Sequence, residues 1–194
     1  MSTIKITMIV AMCPLTRSIG NNDGSMPWSR IKGDFQHFQK TTMGGSKELG
    51  CPMIMGRKTF ESFGGRILPK RPHIILSRDP NYDPGEFPDG DHGPQVVVVT
   101  NIRDALDKAT EYELYSDREQ KEVFIIGGGE IYKIFLLHAD ELIISNITPK
   151  DRNEKLESPV KFPPHKSYDF KIKTGEFEIK DPKYDVRVVT YRRP

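Results

Sequence analysis

Short runs that are almost wholly apolar and rich in β-branched residues punctuate this chain. They span Ile4 to Met12, Pro52 to Met55, His73 to Leu76, Val96 to Thr100, Val123 to Ile126, Leu142 to Ile144 and Val186 to Tyr191. A strand with one wet face alternates polar and apolar residues, so runs without alternation need cover on both faces. Helical stretches lie between them, at 31–40, Thr59 to Phe63, Ile102 to Ala109, and after the glycines at 127–129. In the third, Asn101 is placed to cap, Asp104 stands at the third helical position, and Ile102, Ala105, Leu106 and Ala109 share one face. Strands alternating with helices point to an α/β fold, a mostly parallel sheet covered on both sides. The last piece differs. From Asp169 to Arg192, "DFKIKTGEFEI" and "YDVRVVTYRR" alternate around "KDPK", as an antiparallel pair added at one edge does.

The chain has 194 residues, which fits a single domain over 1–194. Lys and Arg total 29 against 27 Asp and Glu. Such a balance lacks the basic excess of a nucleic-acid binder, so any polyanion site must be local. Cys13 and Cys51 form no CxxC, and the five His show no metal-ligand spacing, so no metal site and a reducing cytoplasmic setting are expected. The opening "MSTIKITMIVAMC" reads as a strand rather than a signal peptide, and no stretch approaches a membrane-spanning length. Two loops rich in Pro and in charged or small polar residues, Asn81 to Pro94 and Pro149 to Lys166, look like surface insertions.

In "MPWSRIKGDFQHF", Ser29 can cap a helix, and Ile31, Phe35 and Phe38 then fall on one stripe. Asp34 lies in that stripe, an acid in apolar company. A solvated acid in the first turn of a helix is the plainer alternative.

Three strand ends suit phosphate. "PMIMGRKTFESF" runs from a strand through Gly56 into a helix, with Arg57 and Lys58 at the turn and Thr59 in the cap position. "HIILSRDP" ends a strand, through Leu76, in Ser77 and Arg78, a hydroxyl and a guanidinium. Taken singly, each turn is more simply read as ordinary solvated residues. "VFIIGGGEIY" runs into three glycines and a helix; one or two glycines would satisfy a tight turn, and three leave room for a ligand. Together the turns fit a pyrophosphate and a separate phosphate laid across a sheet crevice, as NADPH requires. Arg57, Lys58 and Arg78 suit a 2′-phosphate, while neither G-x-G-x-x-G nor G-K-[ST] is present.

With those residues in view, the chain resembles dihydrofolate reductase over nearly its whole length. The motifs follow the family's order: "IVAM", "IGNNDGSMPW" as the loop over the nicotinamide, Asp34, "MGRKTFES", "LPKRPHIILSR", "VFIIGGGEIY" and a C-terminal hairpin. The resemblance implies a three-layer αβα fold with an eight-stranded central sheet. It also implies hydride transfer from NADPH to C6 of 7,8-dihydrofolate with protonation at N5. Asp34 would accept two hydrogen bonds from the pterin's N3 and 2-amino group. Ile9, Val10, Phe35, Phe38, Phe63, Leu68 and Ile126 would wall the pterin and benzoyl pocket, and Arg71 would grip the α-carboxylate of the glutamate tail. Trp28 would hold a water near the pterin, beside Met26 where water enters. Ser145 stands where the family usually has Thr, keeping the hydroxyl that bonds Asp34. Ala11, Ile19 and Gly20 would flank the nicotinamide, with Tyr132 near its ring. Arg57, Lys58, Thr59, Leu76, Ser77, Arg78, Gly127, Gly128, Gly129, Glu130 and Ile131 would hold the rest of the cofactor.

Some stretches depart from the family pattern. "PKDRNEKLESPVKFPPHKSYDF" lacks the family's Asp-Thr-Phe-Phe-Pro run, so no roles transfer to 149–170. Gly64-Gly65 adds a residue, and the chain leaves no room for a fused thymidylate synthase. A pyrimidine reductase of riboflavin synthesis would share the NADPH site but lack the helix acid and the tail-gripping Arg. A non-catalytic NADPH-binding module would leave Met26, Trp28, Asp34 and Ser145 without a purpose. The expected partners are dihydrofolate and antifolate-type inhibitors, with a monomeric chain and neither nucleic acid nor membrane.

Overall fold

The computed structural model describes residues 4–90, 93–165 and 170–194. In chain order the elements are β1 (Lys5–Met12), β2 (Ser18–Gly20), α1 (Lys32–Thr42), β3 (Met53–Gly56), α2 (Arg57–Glu61), β4 (His73–Leu76), β5 (Asp89–Gly90), β6 (Gly93–Pro94), β7 (Val96–Val99) and α3 (Ile102–Glu113). They continue as β8 (Glu122–Gly127), α4 (Gly129–Phe135), β9 (Glu141–Pro149), β10 (Val160–Lys161), β11 (Ile172–Lys180) and β12 (Tyr184–Arg192).

Eight strands form one sheet in the order β11-β12-β9-β1-β8-β3-β4-β7. β1 pairs in parallel with β8 and β9, β3 with β8 and β4, and β4 with β7. β12 runs antiparallel to both β9 and β11, which makes the expected edge pair. Its expected first residue, Asp169, lies outside the described residues.

Alternate residues of each apolar run serve different cores, which is why the runs do not alternate in polarity. Ile6, Met8, Val10 and Met12 of β1 pack with Ala105 and Ala109 of α3 and Ile131 and Phe135 of α4. Ile9 points the other way, into a cluster with Met53, Met55, Phe60, Ile75 and Ile126, against which Phe38 of α1 packs. Each such side chain contributes roughly 1.5–3 kcal/mol by leaving water.

Helix starts follow local chemistry. The Asn101 side chain accepts the Asp104 amide at 2.9 Å and donates to its carboxylate at 2.8 Å, so the expected cap is present. The helix runs on to Glu113 because Tyr112 and Glu113 extend its buried face. Ser29 is not a cap. α1 begins after Ile31, with no side-chain cap, while the Ser29 amide donates to the Tyr184 hydroxyl at 3.1 Å. Thr59 is not a cap either, because α2 starts directly at the end of β3 on Gly56 and places Thr59 a turn inside.

The stretch 149–166 is not a surface insertion as far as it is described; Lys166 lies outside the described residues. β10 pairs with β2, and Leu156, Phe162 and His165 are buried. Ser18 ties the two segments together, its hydroxyl accepting the Lys161 ammonium at 2.8 Å and the Ser158 amide at 3.0 Å. The described part of 81–94 is largely exposed, with β5 and β6 forming a small ribbon.

Candidate active site

β8 enters the sheet between β1 and β3, and beyond the carboxyl ends of these strands and β4 lies a cleft of about 1450 Å³. This is the position at which open α/β sheets bind ligands. Its volume exceeds the ~300–1,000 Å³ of a pocket for one drug-sized ligand, so two ligands fit side by side.

One half of the cleft is built around α1. Asp34 is 9 % exposed and lines the cleft, so the acid does sit among apolar neighbours. Burial raises its carboxyl above the usual range, against a hydrogen bond from the Ser145 hydroxyl of β9 and the nearby His37, which both lower it. Burial likewise pushes the His37 imidazole down, with Asp34 opposing and Lys40 adding to the shift. Phe35 departs from the expected stripe. It is 43 % exposed, because at this point the apolar face of α1 borders the open cleft rather than the core. Phe38, Phe63, Ile9, Val10, Ala11, Ile126, Ser145 and Met26 share this wall.

Three expected residues stand off the wall. Trp28 packs with Cys13, Ile31, Ile147, Leu156 and Tyr184 in a separate buried cluster. Leu68 packs on the core beneath, and its amide donates to His73 Nε2 at 3.1 Å. Arg71 is buried, with Nη1 on the Thr42 hydroxyl at 3.0 Å and Nε on the Pro69 carbonyl at 3.2 Å.

The other half carries positive charge. Arg57 and Lys58 open α2, Thr59 follows, and Leu76, Ser77 and Arg78 close β4 on the same cleft. Arg57 is partly engaged, 3.6 Å from Glu61 and over the Tyr82 ring. Lys58 and Arg78 are exposed and have no ion pair among the described residues. The Ser77 hydroxyl is already turned to the backbone of Asp79, donating at 3.1 Å and accepting at 3.2 Å. With α2 only five residues long, cationic side chains and free amides matter more here than a helix dipole.

Ile19 and Gly20 of β2 and the segment Gly127 to Tyr132 complete the wall. The three glycines have protein neighbours as well as a cleft. Gly127 has φ +118, and a Cβ there would lie 3.1 Å from the Tyr132 ring. At Gly128 a Cβ would lie 3.2 Å from the Thr59 hydroxyl, and at Gly129 3.1 Å from the Lys161 carbonyl. These are close contacts within the chain, and the three glycines line the cleft as well. Tyr132 is buried, its hydroxyl donating to the Ile9 carbonyl at 2.8 Å.

The structure adds residues that the sequence reading passed over. His37 lines the cleft one turn from Asp34, a placement its i+3 spacing could have signalled. Thr100, Asn101 and Ile102 make a fourth strand end on the cleft, legible in "VVVVTNIRD". Val160 and Lys161 also line it, and a two-residue strand carries no periodic signal. Among the described residues no group of three or more metal-ligating side chains occurs, both cysteines are free and buried, and no helix is long and apolar enough to cross a membrane.

The family model for dihydrofolate reductase matches residues 5–193. The chain is 34% identical over 194 residues to a dihydrofolate reductase of Staphylococcus haemolyticus, covering 99% of this chain and 98% of the relative. To that of Bacillus subtilis it is 32% identical over 190 residues, covering 97% and 94%. Among solved structures it superposes on dihydrofolate reductase from Enterococcus faecalis complexed with NADP(H) and RAB-propyl, with TM-score 0.72, 25% identity and coverage of 97% and 96%. Since the match runs from β1 through the whole of β12, this chain belongs to the dihydrofolate reductase family.

Proposed function

We propose that the cleft reduces 7,8-dihydrofolate to 5,6,7,8-tetrahydrofolate with NADPH, and that Asp34 is the residue on which the chemistry turns. The observation that carries this is a buried carboxyl, bonded to Ser145, facing the same cleft as the cationic strand ends. The donor set fits the cofactor. Lys58 and Arg78 offer cations free of ion pairs among the described residues, Arg57 a third, and Gly128 and Gly129 bring backbone close to the cleft. Arg78 and Arg57 would take the 2′-phosphate, and the turn at Gly127 to Ile131 the pyrophosphate. When bound, NADPH supplies the hydride.

The chain's own residues would do the rest. Asp34 accepts hydrogen bonds from the pterin's N3 and 2-amino group, and an ionised carboxylate there favours a substrate protonated at N5, the better hydride acceptor. A buried carboxylate is unfavourable without a partner, so its matching charge arrives with the substrate. Ser145 orients Asp34. Phe35, Phe38 and Ile126 would exclude water from the pterin face, while Met26, exposed and on the cleft, would border the entry of water toward N5. Arg71, anchored by Thr42, would reach the glutamate carboxylate by a small movement of the segment 68–71, and Trp28 would act from behind by fixing the start of α1.

Family membership does not favour the pyrimidine reductase or the non-catalytic module. We also propose that residues 1–194 form one domain, monomeric and cytoplasmic, that takes antifolate-type inhibitors in the same cleft and binds no nucleic acid. The near-neutral charge and the one continuous central sheet support this. The test of the main reading mixes purified protein, NADPH and dihydrofolate and follows loss of reduced-nicotinamide absorbance. Turnover supports it, and NADPH binding without turnover overturns it.

A further inference from the structure

We propose that the C-terminal hairpin is the element that positions Asp34, acting through Gly33 and His37 of α1 against Ile179 and Phe177 of β11. The inference rests on the assignment of Asp34 made above and adds a group of positioning residues to it.

Gly33 is a helical residue, and its backbone does not require glycine. Inside a helix glycine is less favourable than alanine by about 1 kcal/mol. What glycine permits here is approach: a Cβ at this position would lie 2.4 Å from Ile179 Cγ2, a distance at which the helix, the strand or the Ile179 rotamer must change. Cγ2 is attached to the branched Cβ of Ile179 and shifts only by a change of rotamer. One turn along the same helical stripe, the His37 ring packs edge-to-face on Phe177 with centroids 5.1 Å apart, and His37 Nδ1 lies 3.3 Å from the Thr41 hydroxyl. Phe177 and Ile179 are two residues apart and therefore share a face of β11. α1 thus rests on β11 at two points a turn apart, and between them Asp34 reaches across to Ser145 on β9. Gly33, Phe177 and Ile179 do not line the cleft, so they act only by setting where α1 lies.

The groups acting on the Asp34 carboxyl are His37 on its own helix and the Ser145 hydroxyl on β9. Moving α1 relative to β11 alters both the bond to Ser145 and the burial of the carboxyl, the influences that set its titration. Gly33→Ala therefore has two expected effects despite its better helix propensity. kcat/KM for dihydrofolate falls about tenfold or more, with NADPH affinity little changed. The Asp34 carboxyl, followed by carbon NMR in ligand-free protein, titrates at a shifted pH. Gly33→Ala/Ile179→Ala, which opens the space again, restores both. A Gly33→Ala protein with unaltered kinetics and titration overturns the proposal, and so does a double variant that fails to recover. Should Gly33→Ala not fold, Phe177→Ala carries the same expectation for the titration, and an unmoved titration there is equally fatal. The NMR readout needs no turnover, so a wild-type protein inactive on dihydrofolate would refute the assigned function without deciding this point.

Discussion

The two ends of the central strands treat charge in opposite ways. At the amino ends, charges are matched within the chain. Lys5 of β1 lies 2.9 Å from both Glu122 of β8 and Glu141 of β9, and Arg192, at the end of the antiparallel β12, donates to Glu141 at 2.8 Å. Close by in the chain, Arg118 pairs with the buried Glu113. At the carboxyl ends, the buried Asp34 has a hydroxyl and the His37 imidazole, itself shifted down by burial, for company, and Lys58 and Arg78 stand without ion pairs among the described residues. An end whose charges are already satisfied can serve only stability. An end with unmatched charge keeps its cations in water and is free to take partners from outside.

The largest effect expected from this contrast is on activity. Asp34→Asn should lower turnover by roughly 10²- to 10⁴-fold in the absorbance assay, with a much smaller change in NADPH affinity. An unaltered rate would remove Asp34 from the chemistry. At the opposite end, Glu141→Gln should leave kcat and KM alone while destabilising the fold by roughly 1.5–3 kcal/mol in denaturant titrations, because Lys5 and Arg192 lose a charged hydrogen-bond acceptor while Lys5 keeps Glu122. The acid in this pairing behaves accordingly. Burial alone would raise Glu141, but hydrogen bonds from Arg192 and Lys5 outweigh it and hold the carboxyl below its usual range. Its stabilisation is therefore present above the ordinary carboxylate pKa and is lost as pH falls through the depressed one. A Glu141→Gln protein as stable as wild type would erase the distinction between the two ends.

Arg78→Ala should weaken NADPH about tenfold or more while barely affecting NADH, read by fluorescence titration. Equal losses would take Arg78 off the 2′-phosphate. The smallest effect concerns His73, at the amino end of β4. Burial first, and then the neighbouring Arg71, lower its pKa to about 4, and its Nε2 must stay unprotonated to accept the Leu68 amide. A depressed histidine makes the unfolded chain bind more protons, so stability falls as pH drops below 6.5 toward 4. Between pH 7 and 5.5 the loss should be about 1 kcal/mol, and His73→Asn should flatten that slope. An unchanged slope would mean another group dominates.

The parts of this molecule that could be read from sequence are those with a repeating signal. Long apolar runs mark the strands, and Asn101 with Asp104 marks a helix start, because each rests on contacts a few residues apart. Asp34 was legible because helical spacing alone puts it beside Ile31 and Phe38. The same spacing could not tell that Phe35 looks into an open cleft, since a periodic stripe identifies a face of a helix and not what covers it. Ser29 and Thr59 have the chemistry of caps, yet Tyr184 claims one and the direct join of β3 to α2 displaces the other. The burial of Phe162 and the bond from Lys161 to Ser18 depend on partners more than half the chain away, which no local pattern records.

The seating of α1 on β11 has a consequence for biosynthesis. α1 emerges from the ribosome early, whereas β11 and β12 follow every other strand of the central sheet, and β11 joins that sheet only through β12. A nascent chain can assemble most of its parallel strands while still tethered, but contacts of such large sequence separation form late. The acid of this cleft therefore reaches its working place only after the parallel strands around it have been made.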